Sequence, residues 1–210
     1  MDEAVRQAMA RWPRVPACYG WLRLTRRGDW RIGEAAERIT HAGLIDFINR
    51  NYGHEERGAW YFQNGPQRVY VTLDYTPLVY RLRNADSASF ETHTGMAAQH
   101  ITAAWLDDAG ALIVASEHGP GVVLDRDLPA LLDHLRDGNG ETIGESWLAD
   151  LQVGTAWIPQ APAVARLQVG ERSVPVGRVR SDYVASFFGF DPAPAQASRA
   201  TGNTAHVEEK

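Results

Sequence analysis

Short segments of alternating apolar and polar residues, joined by turns that contain glycine, constrain the fold of this chain more than any other feature. In WYFQNGPQRVYVTLD, residues 60–74, single polar or aromatic residues separate Val69, Val71 and Leu73. A period of two is typical of a strand that buries one face. The intervening Asn-Gly-Pro sequence is typical of a turn. This stretch therefore predicts a β-hairpin.

The same alternation predicts further hairpins, and a helical spacing of apolar residues predicts a few short helices. Hairpins are expected over residues 18–32, 99–117 and 165–179, and residues 78–84 fit either a strand or one turn of helix. Helices are expected at residues 2–11, 41–52 and 127–137, with a short helix or aromatic plug at 182–190. Thr40 is the expected N-cap of the second helix. The predicted fold class is α+β, with antiparallel β-hairpins and a few short helices.

The polar segment NADSASFETHTG, residues 84–95, is rich in turn-forming residues and is typical of a domain boundary. Residues 60–82 and 112–135 share an order of strand, Gly-Pro turn, strand, Leu-Asp and proline. This order indicates either a duplicated unit or ordinary strand–turn–strand sequences that resemble each other. We expect two similar α+β subdomains, at residues 1–90 and 91–190, followed by a disordered tail at 191–210.

Three sequence phrases carry a resemblance to known families: RWPRVPACYGWLRL, GDWRIGEAAERITHAGLIDFINRNY and GAWYFQNGPQRVYVTLDYTP. Over roughly residues 11–137, the chain resembles uncharacterised proteobacterial domain-of-unknown-function families. The resemblance implies an α+β fold with repeated strand–helix units. It implies no assigned activity and transfers no catalytic residue.

The charged residues exclude several classes of protein. There are 26 acidic and 21 basic residues, so the basic excess typical of nucleic-acid-binding proteins is absent. The only lysine is Lys210, which excludes a P-loop and disfavours cofactor chemistry that needs a lysine. Arg23, Arg26 and Arg27 form the densest basic cluster, which we interpret as a solvated hairpin turn.

Cysteine content and hydropathy indicate where the protein works. The single cysteine, Cys18, cannot form an internal disulfide and is interpreted as a packing residue. No stretch approaches the roughly 18 consecutive apolar residues of a membrane span. The abundance of arginine and alanine indicates a GC-rich bacterial genome. We expect a soluble, cytoplasmic bacterial protein that needs no cofactor and binds neither nucleic acid nor membrane.

The bend FQNGPQR, residues 62–68, is the most unusual polar sequence in the chain, because amides and an arginine flank its Gly-Pro turn: Gln63, Asn64, Gln67 and Arg68. An arginine can hold a carboxylate or phosphate through two parallel hydrogen bonds. In the alternative interpretation the amides satisfy the turn backbone, and Arg68 covers apolar surface or pairs with Asp74.

Two further polar loops carry His93 and the pair Glu117-His118 beside glycines. A metal site at these residues would have to be assembled from distant positions, so no metal is predicted. The candidate ligand-binding residues are Asn64, Gln67, Arg68, His93, Glu117 and His118, and no catalytic residue is predicted.

A full set of fold-forming patterns without a catalytic motif predicts a non-catalytic module that binds a small anionic ligand or a protein partner. The alternative is an enzyme of unrecognised class that uses histidine and carboxylate groups. The sequence contains seven tryptophans. Aromatic residues on strands form either a core or an exposed binding surface, and the sequence does not separate the two.

Overall fold

The computed structural model describes residues 1–143 and 163–196, and these residues form two β-sheets. The first sheet contains β1 Cys18–Leu24, β2 Trp30–Ile32, β3 Glu37–Arg38, β4 Tyr52–His54, β5 Trp60–Asn64 and β6 Gln67–Leu73. The order across the sheet is β3-β2-β1-β6-β5-β4. All neighbouring strands are antiparallel except β1 and β6, which are parallel.

The second sheet contains nine strands within the described residues. They are β7 Leu78–Asn84, β8 Ser89–Thr92, β9 Ala97–Ala98, β10 Ala103–Asp107, β11 Leu112–Ser116, β12 Gly119–Val123, β13 Leu135–Arg136, β14 Ala165–Val169 and β15 Arg172–Val179. The order is β13-β14-β15-β10-β11-β12-β7-β8-β9. Two pairs are parallel, β7 with β12 and β10 with β15.

The described helices are short: α1 Glu3–Arg11, α2 Ala42–Arg50, α3 Leu128–Leu132 and α4 Val184–Phe188. Helix α2 packs Phe47 edge-to-face on Phe62 of β5, with ring centroids 5.4 Å apart. The Nδ1 atom of His41 accepts a hydrogen bond from the Leu44 amide at 3.1 Å, so His41 and not Thr40 caps this helix. No described helix has the length and apolar character needed to cross a bilayer.

One topological rule relates the two sheets. The described strands form five three-stranded antiparallel meanders: β1–β3, β4–β6, β7–β9, β10–β12 and β13–β15. In three cases the first strand of a meander runs parallel to the third strand of the next. The order β3-β2-β1-β6-β5-β4 therefore recurs as β9-β8-β7-β12-β11-β10. The α+β prediction is confirmed, and the two sheets form two similar subdomains.

The stretches with similar sequence occupy equivalent places in this topology. Residues 60–82 supply β5 and β6, and residues 112–135 supply β11 and β12. These are the second and third strands of the second meander in each sheet. This placement favours the interpretation of a duplicated unit.

A continuous hydrophobic core joins the two sheets. Trp30 of the first sheet and Tyr80 and Phe90 of the second are almost completely buried there. Of the other described tryptophans, Trp60 is buried, whereas Trp12 and Trp21 are 50% and 57% exposed. The tryptophans therefore serve both as core residues and as exposed aromatic surface; Trp147 and Trp157 lie outside the described residues.

Two sequence predictions need correction. The helix expected at 127–137 ends at Leu132, because Leu135 and Arg136 pair as a strand with β14 and Leu135 is buried in the core. The polar segment at 84–95 is part of the second sheet, where Ser89–Thr92 pairs with β7. The chain passes from one sheet to the other between Leu73 and Leu78, and the domain limits at 90 and 91 stay a prediction.

Part of the expected disordered tail packs on the first sheet. The Asp191 amide donates to the Gly58 carbonyl at 3.0 Å, and the Pro192 carbonyl accepts from the Leu73 amide at 2.8 Å. We call residues 189–194 the C-terminal strap. Residues 197–210, the rest of the predicted tail, lie outside the described residues.

Candidate functional site

A groove lies on the outer face of the first sheet, beside the bend that the sequence singled out. Because side chains alternate along a strand, Tyr61 and Gln63 of β5 share a face with Arg68 and Tyr70 of β6, opposite to the core. Met9 of α1 and the residues that follow this helix form the facing wall. The cavity is ≈ 360 Å³ and is lined by Met9, Trp12, Pro13, Val15, Ala17, Gln63, Pro66, Arg68 and Tyr70. We call it the Arg68 groove.

The facing wall is anchored to the bend. The side-chain amide of Gln67 donates to the Pro16 carbonyl at 3.1 Å, which ties the segment after α1 to the start of β6. The amide of Asp2 donates to Asn51 Oδ1 at 2.8 Å and fixes the start of α1 against the residue before β4. These two hydrogen bonds therefore hold α1 and the segment after it against the first sheet.

Arg68 is held in a defined orientation, with its side chain one third exposed. Its guanidinium lies 4.1 Å from the centroid of the Tyr61 ring, and its Nη1 donates to Glu55 Oε2 at 3.0 Å. The Tyr70 hydroxyl donates to the same oxygen at 3.0 Å. Burial disfavours the charge, but Tyr70, Tyr61 and Glu55 outweigh it and raise the pKa of Arg68. The expected alternative partner, Asp74, instead binds Arg23 at 2.8 Å.

Gln63 carries the unusual feature of the groove. It is only 2% exposed, and its Nε2 donates to the Gly65 carbonyl at 3.0 Å. Its Oε1 has no hydrogen-bond partner among the described residues. Flipping the amide would place two oxygens together, so this orientation is fixed by the network. A buried acceptor without a partner costs about 1–3 kcal/mol.

The six predicted site residues fall in three separate places. Arg68 lines the groove, whereas Gln67 and the exposed Asn64 lie beside it and do not line it. His93 is buried between the sheets, 5% exposed, with ring centroids 5.5 and 5.7 Å from those of Trp30 and Tyr52.

The contacts of His93 are those of a buried residue in the protein interior. Its Nδ1 accepts from the Val79 amide at 3.2 Å, so the neutral ring carries its proton on Nε2. That nitrogen has no hydrogen-bond partner in the described residues, and its surroundings include aromatic rings, whose faces are weak acceptors. Burial lowers the pKa of His93 to about 3, and the nearby charge of Arg81 adds to the effect.

Glu117 and His118 lie in the connection between β11 and β12, where they hold the segment before β10. The Glu117 carboxylate accepts from the amides of Gln99 at 2.6 Å and His100 at 3.1 Å. His118 Nε2 lies 3.0 Å from the Ala97 carbonyl oxygen. Partial burial opposes ionisation of Glu117, but these amides outweigh it and lower its pKa. Ligand binding by His93, Glu117 and His118 stays a prediction.

Within residues 1–143 and 163–196, no three His, Cys, Asp or Glu side chains are grouped closely enough to hold a metal ion. Three residues at or beside the groove are absent from the predicted site residues: Gln63, which the bend contains, Trp12, which lines the groove, and Glu55, which binds Arg68. The alternation along β5 places Gln63 on the face of Arg68 and could have identified it. Glu55 and Trp12 approach only through tertiary packing.

Comparison with known proteins gives a family and a fold. The family model DUF2944, described as a protein of unknown function (DUF2946), matches residues 1–195. The chain belongs to this family. The resemblance to a domain of unknown function is confirmed, over a longer stretch than the sequence phrases covered. No curated protein matches the DUF2944 chain significantly.

Two solved structures resemble the DUF2944 chain. A DUF1285 family protein from Silicibacter pomeroyi DSS-3 has a TM-score of 0.50 at 15% identity, covering 84% of this chain and 96% of its own. A DUF1285 family protein from Shewanella baltica OS155 has a TM-score of 0.38 at 14% identity, covering 50% of this chain and 85% of its own. At 15% identity the first match supports a shared fold alone.

Proposed function

We propose that this protein is a non-catalytic binding module whose Arg68 groove takes a small ligand with an anionic group and a hydrogen-bond donor. The observation that carries the proposal is the Oε1 atom of Gln63, which is buried in the groove wall and has no hydrogen-bond partner in the part of the chain that the structure describes. Native proteins rarely leave such an acceptor without a partner, and a ligand donor would satisfy it.

The positions of Gln63 and Arg68 define what such a ligand must offer. The two residues are directly opposed on β5 and β6, so their Cβ atoms are about 5 Å apart. Arg68 has five N–H donors, and Glu55 accepts from Nη1. Because Tyr61 and Glu55 fix the guanidinium, the remaining donors are oriented before an anion arrives.

The opposite wall of the groove is apolar. It consists of Met9, Trp12, Pro13 and Val15, and Trp12 and Val15 are 50% and 36% exposed. Exposed tryptophan beside a cationic group is a frequent feature of binding sites. The ligand class is therefore an organic acid with a nearby N–H or O–H and an apolar part, such as an N-acyl amino acid.

The geometry supports an enzyme less well. His118 and Glu117 approach to 3.6 Å, but each already bonds backbone groups that fix a loop. His93 is a weak base, because its pKa is lowered to about 3. The proposal places the module in the bacterial cytoplasm without a nucleic-acid partner, which the net charge of −5 and the single cysteine support.

A thermal-shift titration with N-acetyl-leucine and with N-acetyl-leucine amide tests the proposal. The acid should raise the melting temperature in a saturable way, and the neutral amide should not. Arg68→Gln should abolish the shift. Arg38→Gln, which changes an exposed arginine paired with Asp29 elsewhere on the sheet, should keep it.

Glu55→Gln adds a second criterion. The glutamine oxygen can still accept from Arg68 and keep its orientation, but the negative charge that competes with the ligand is removed, so affinity for the acid should rise while the protein loses some stability. Equal shifts with the acid and the amide, or a shift that survives in Arg68→Gln, would contradict the proposed anion site.

A further inference from the structure

The tip of the β1–β2 hairpin rests on the second sheet. The Arg26 guanidinium lies 4.2 Å from the centroid of the Tyr75 ring, and its Nη2 is 3.5 Å from Asp107 Oδ2. Arg27 Nη2 donates to Asp125 at 2.9 Å. The side chains of Arg26 and Arg27 are 45% and 73% exposed, as expected of a solvated turn, and both also reach across to the other subdomain.

A cavity of ≈ 260 Å³ lies beneath this tip, between the two sheets. We call it the inter-sheet pocket. Its lining includes Arg26, Arg27, Ala111, Val122, Leu124 and Leu128. Contact regions between subdomains are frequent places for small-molecule sites.

The apolar part of the pocket belongs to a small cluster that is separate from the main core. Val79, Ala111, Val122 and Leu124 form it, each no more than 7% exposed. Three of these four line the pocket. The pocket therefore joins a buried apolar surface to two guanidinium groups.

Arg26 is not needed to satisfy Asp107. The buried Asp107 carboxylate accepts from the Tyr75 hydroxyl at 2.5 Å and from the amides of Ala109 and Ala111 at 2.9 and 2.7 Å. At 3.5 Å, the contact with Arg26 is at the outer limit of a hydrogen bond. Stacking on Tyr75 holds Arg26 in place, and its other N–H groups can turn to an anion.

Arg27 is also available to a ligand. Its side chain is 73% exposed, and its partner Asp125 is 63% exposed. Exposed ion pairs of this kind contribute little to stability. An anion with an apolar tail can therefore compete with Asp125 for the Arg27 guanidinium.

We propose that the inter-sheet pocket binds a small organic monoanion, a carboxylate on a short unbranched alkyl chain, with Arg26 and Arg27 at the carboxylate. The cavity of ≈ 260 Å³ equals about nine water molecules at the roughly 30 Å³ each takes in the liquid. A carboxylate with about six carbons fills that space. Asp107 and Asp125 lie near the arginines and disfavour a doubly charged group.

Isothermal titration calorimetry with hexanoate tests the proposal, and acetate and hexylamine serve as comparison ligands. Hexanoate should bind in a saturable way, acetate should bind at least tenfold more weakly for lack of an alkyl chain, and hexylamine should not bind. Arg27→Gln should weaken hexanoate binding tenfold or more, because it removes a charged hydrogen bond. Arg23→Gln is the matched control, since Arg23 pairs with Asp74 outside the pocket.

Arg26→Gln and Ala111→Leu keep the test decisive if one variant folds poorly. The first removes the second guanidinium, and the second fills the apolar floor; both should weaken binding tenfold or more. Hexanoate binding that is absent in the wild type, unchanged in all three pocket variants, or matched by hexylamine would overturn the proposal. Loss of hexanoate binding in Arg68→Gln alone would place hexanoate in the Arg68 groove and also overturn it.

Discussion

Acidification should destabilise the folded protein because buried His93 resists protonation, and this effect should begin at a higher pH than the titration of the protein's carboxyl groups. The ordinary histidine pKa is 6.5, and burial lowers the pKa of His93 to about 3. Between these values the unfolded chain binds a proton that the folded protein excludes. The contribution of neutral His93 to the free energy of unfolding is therefore fully present above about pH 6.5. Below that pH it is lost at about 1.36 kcal/mol per pH unit.

The loss of unfolding free energy is largest where only the unfolded chain takes up a proton at His93. From about pH 7.5 to about pH 5.0, the unfolded His93 becomes almost fully protonated while the folded residue stays neutral. The expected loss is about 2 kcal/mol of unfolding free energy. Carboxyl groups whose pKa is lowered in the folded state, such as Asp108 and Glu117, lose their contribution mainly below this range.

Urea unfolding followed by tryptophan fluorescence at the two pH values measures this loss. His93→Asn removes the titrating group but keeps an acceptor near Nδ1 for the Val79 amide, so most of the pH-dependent loss should disappear. His41→Asn, a change at the exposed N-cap of α2 that asparagine also suits, should leave the loss unchanged. Equal losses in the wild type and in His93→Asn would refute the reasoning.

Three further outcomes can be checked by urea or thermal unfolding. Gly58→Ala should lower the free energy of unfolding by about 2–4 kcal/mol, because the added Cβ would overlap the Gly189 carbonyl oxygen and because Gly58 has a φ of +83°. Gly53→Ala, with open space around the added Cβ, should lower it by less than about 1 kcal/mol. Asp107→Asn should cost about 2–3 kcal/mol by breaking charged hydrogen bonds, whereas Asp125→Asn should stay within about 1 kcal/mol. Deleting residues 197–210 should leave the melting temperature nearly unchanged, but deletion from Asp191 should lower it by several degrees.

The hairpins were predictable because their information is local. A period of two and a glycine turn lie within about fifteen residues of each other, as in Trp60 to Leu73. The helix expected at 127–137 failed for the opposite reason. Leu135 sits in a sequence with helical spacing, but pairing with Leu167 and burial in the core decide its conformation.

The candidate site was partly predictable for the same reason. Arg68 was identified from the bend, and the alternation along β5 puts Gln63 on its face. Its partner Glu55 precedes β5 and reaches Arg68 only in the folded sheet. Arg26 contacts Asp107, which lies 81 residues later in the chain. No pattern of neighbouring residues predicts a contact over this separation.

The C-terminal strap has a consequence for how the chain folds during synthesis. The six described strands of the first sheet have all been synthesised once Leu73 is made. The amide of Leu73 and the carbonyl of Gly58 receive their partners only when Pro192 and Asp191 emerge. Between these times, one corner of the N-terminal half stays open to solvent and to chaperones. The first sheet is thus begun first and completed last.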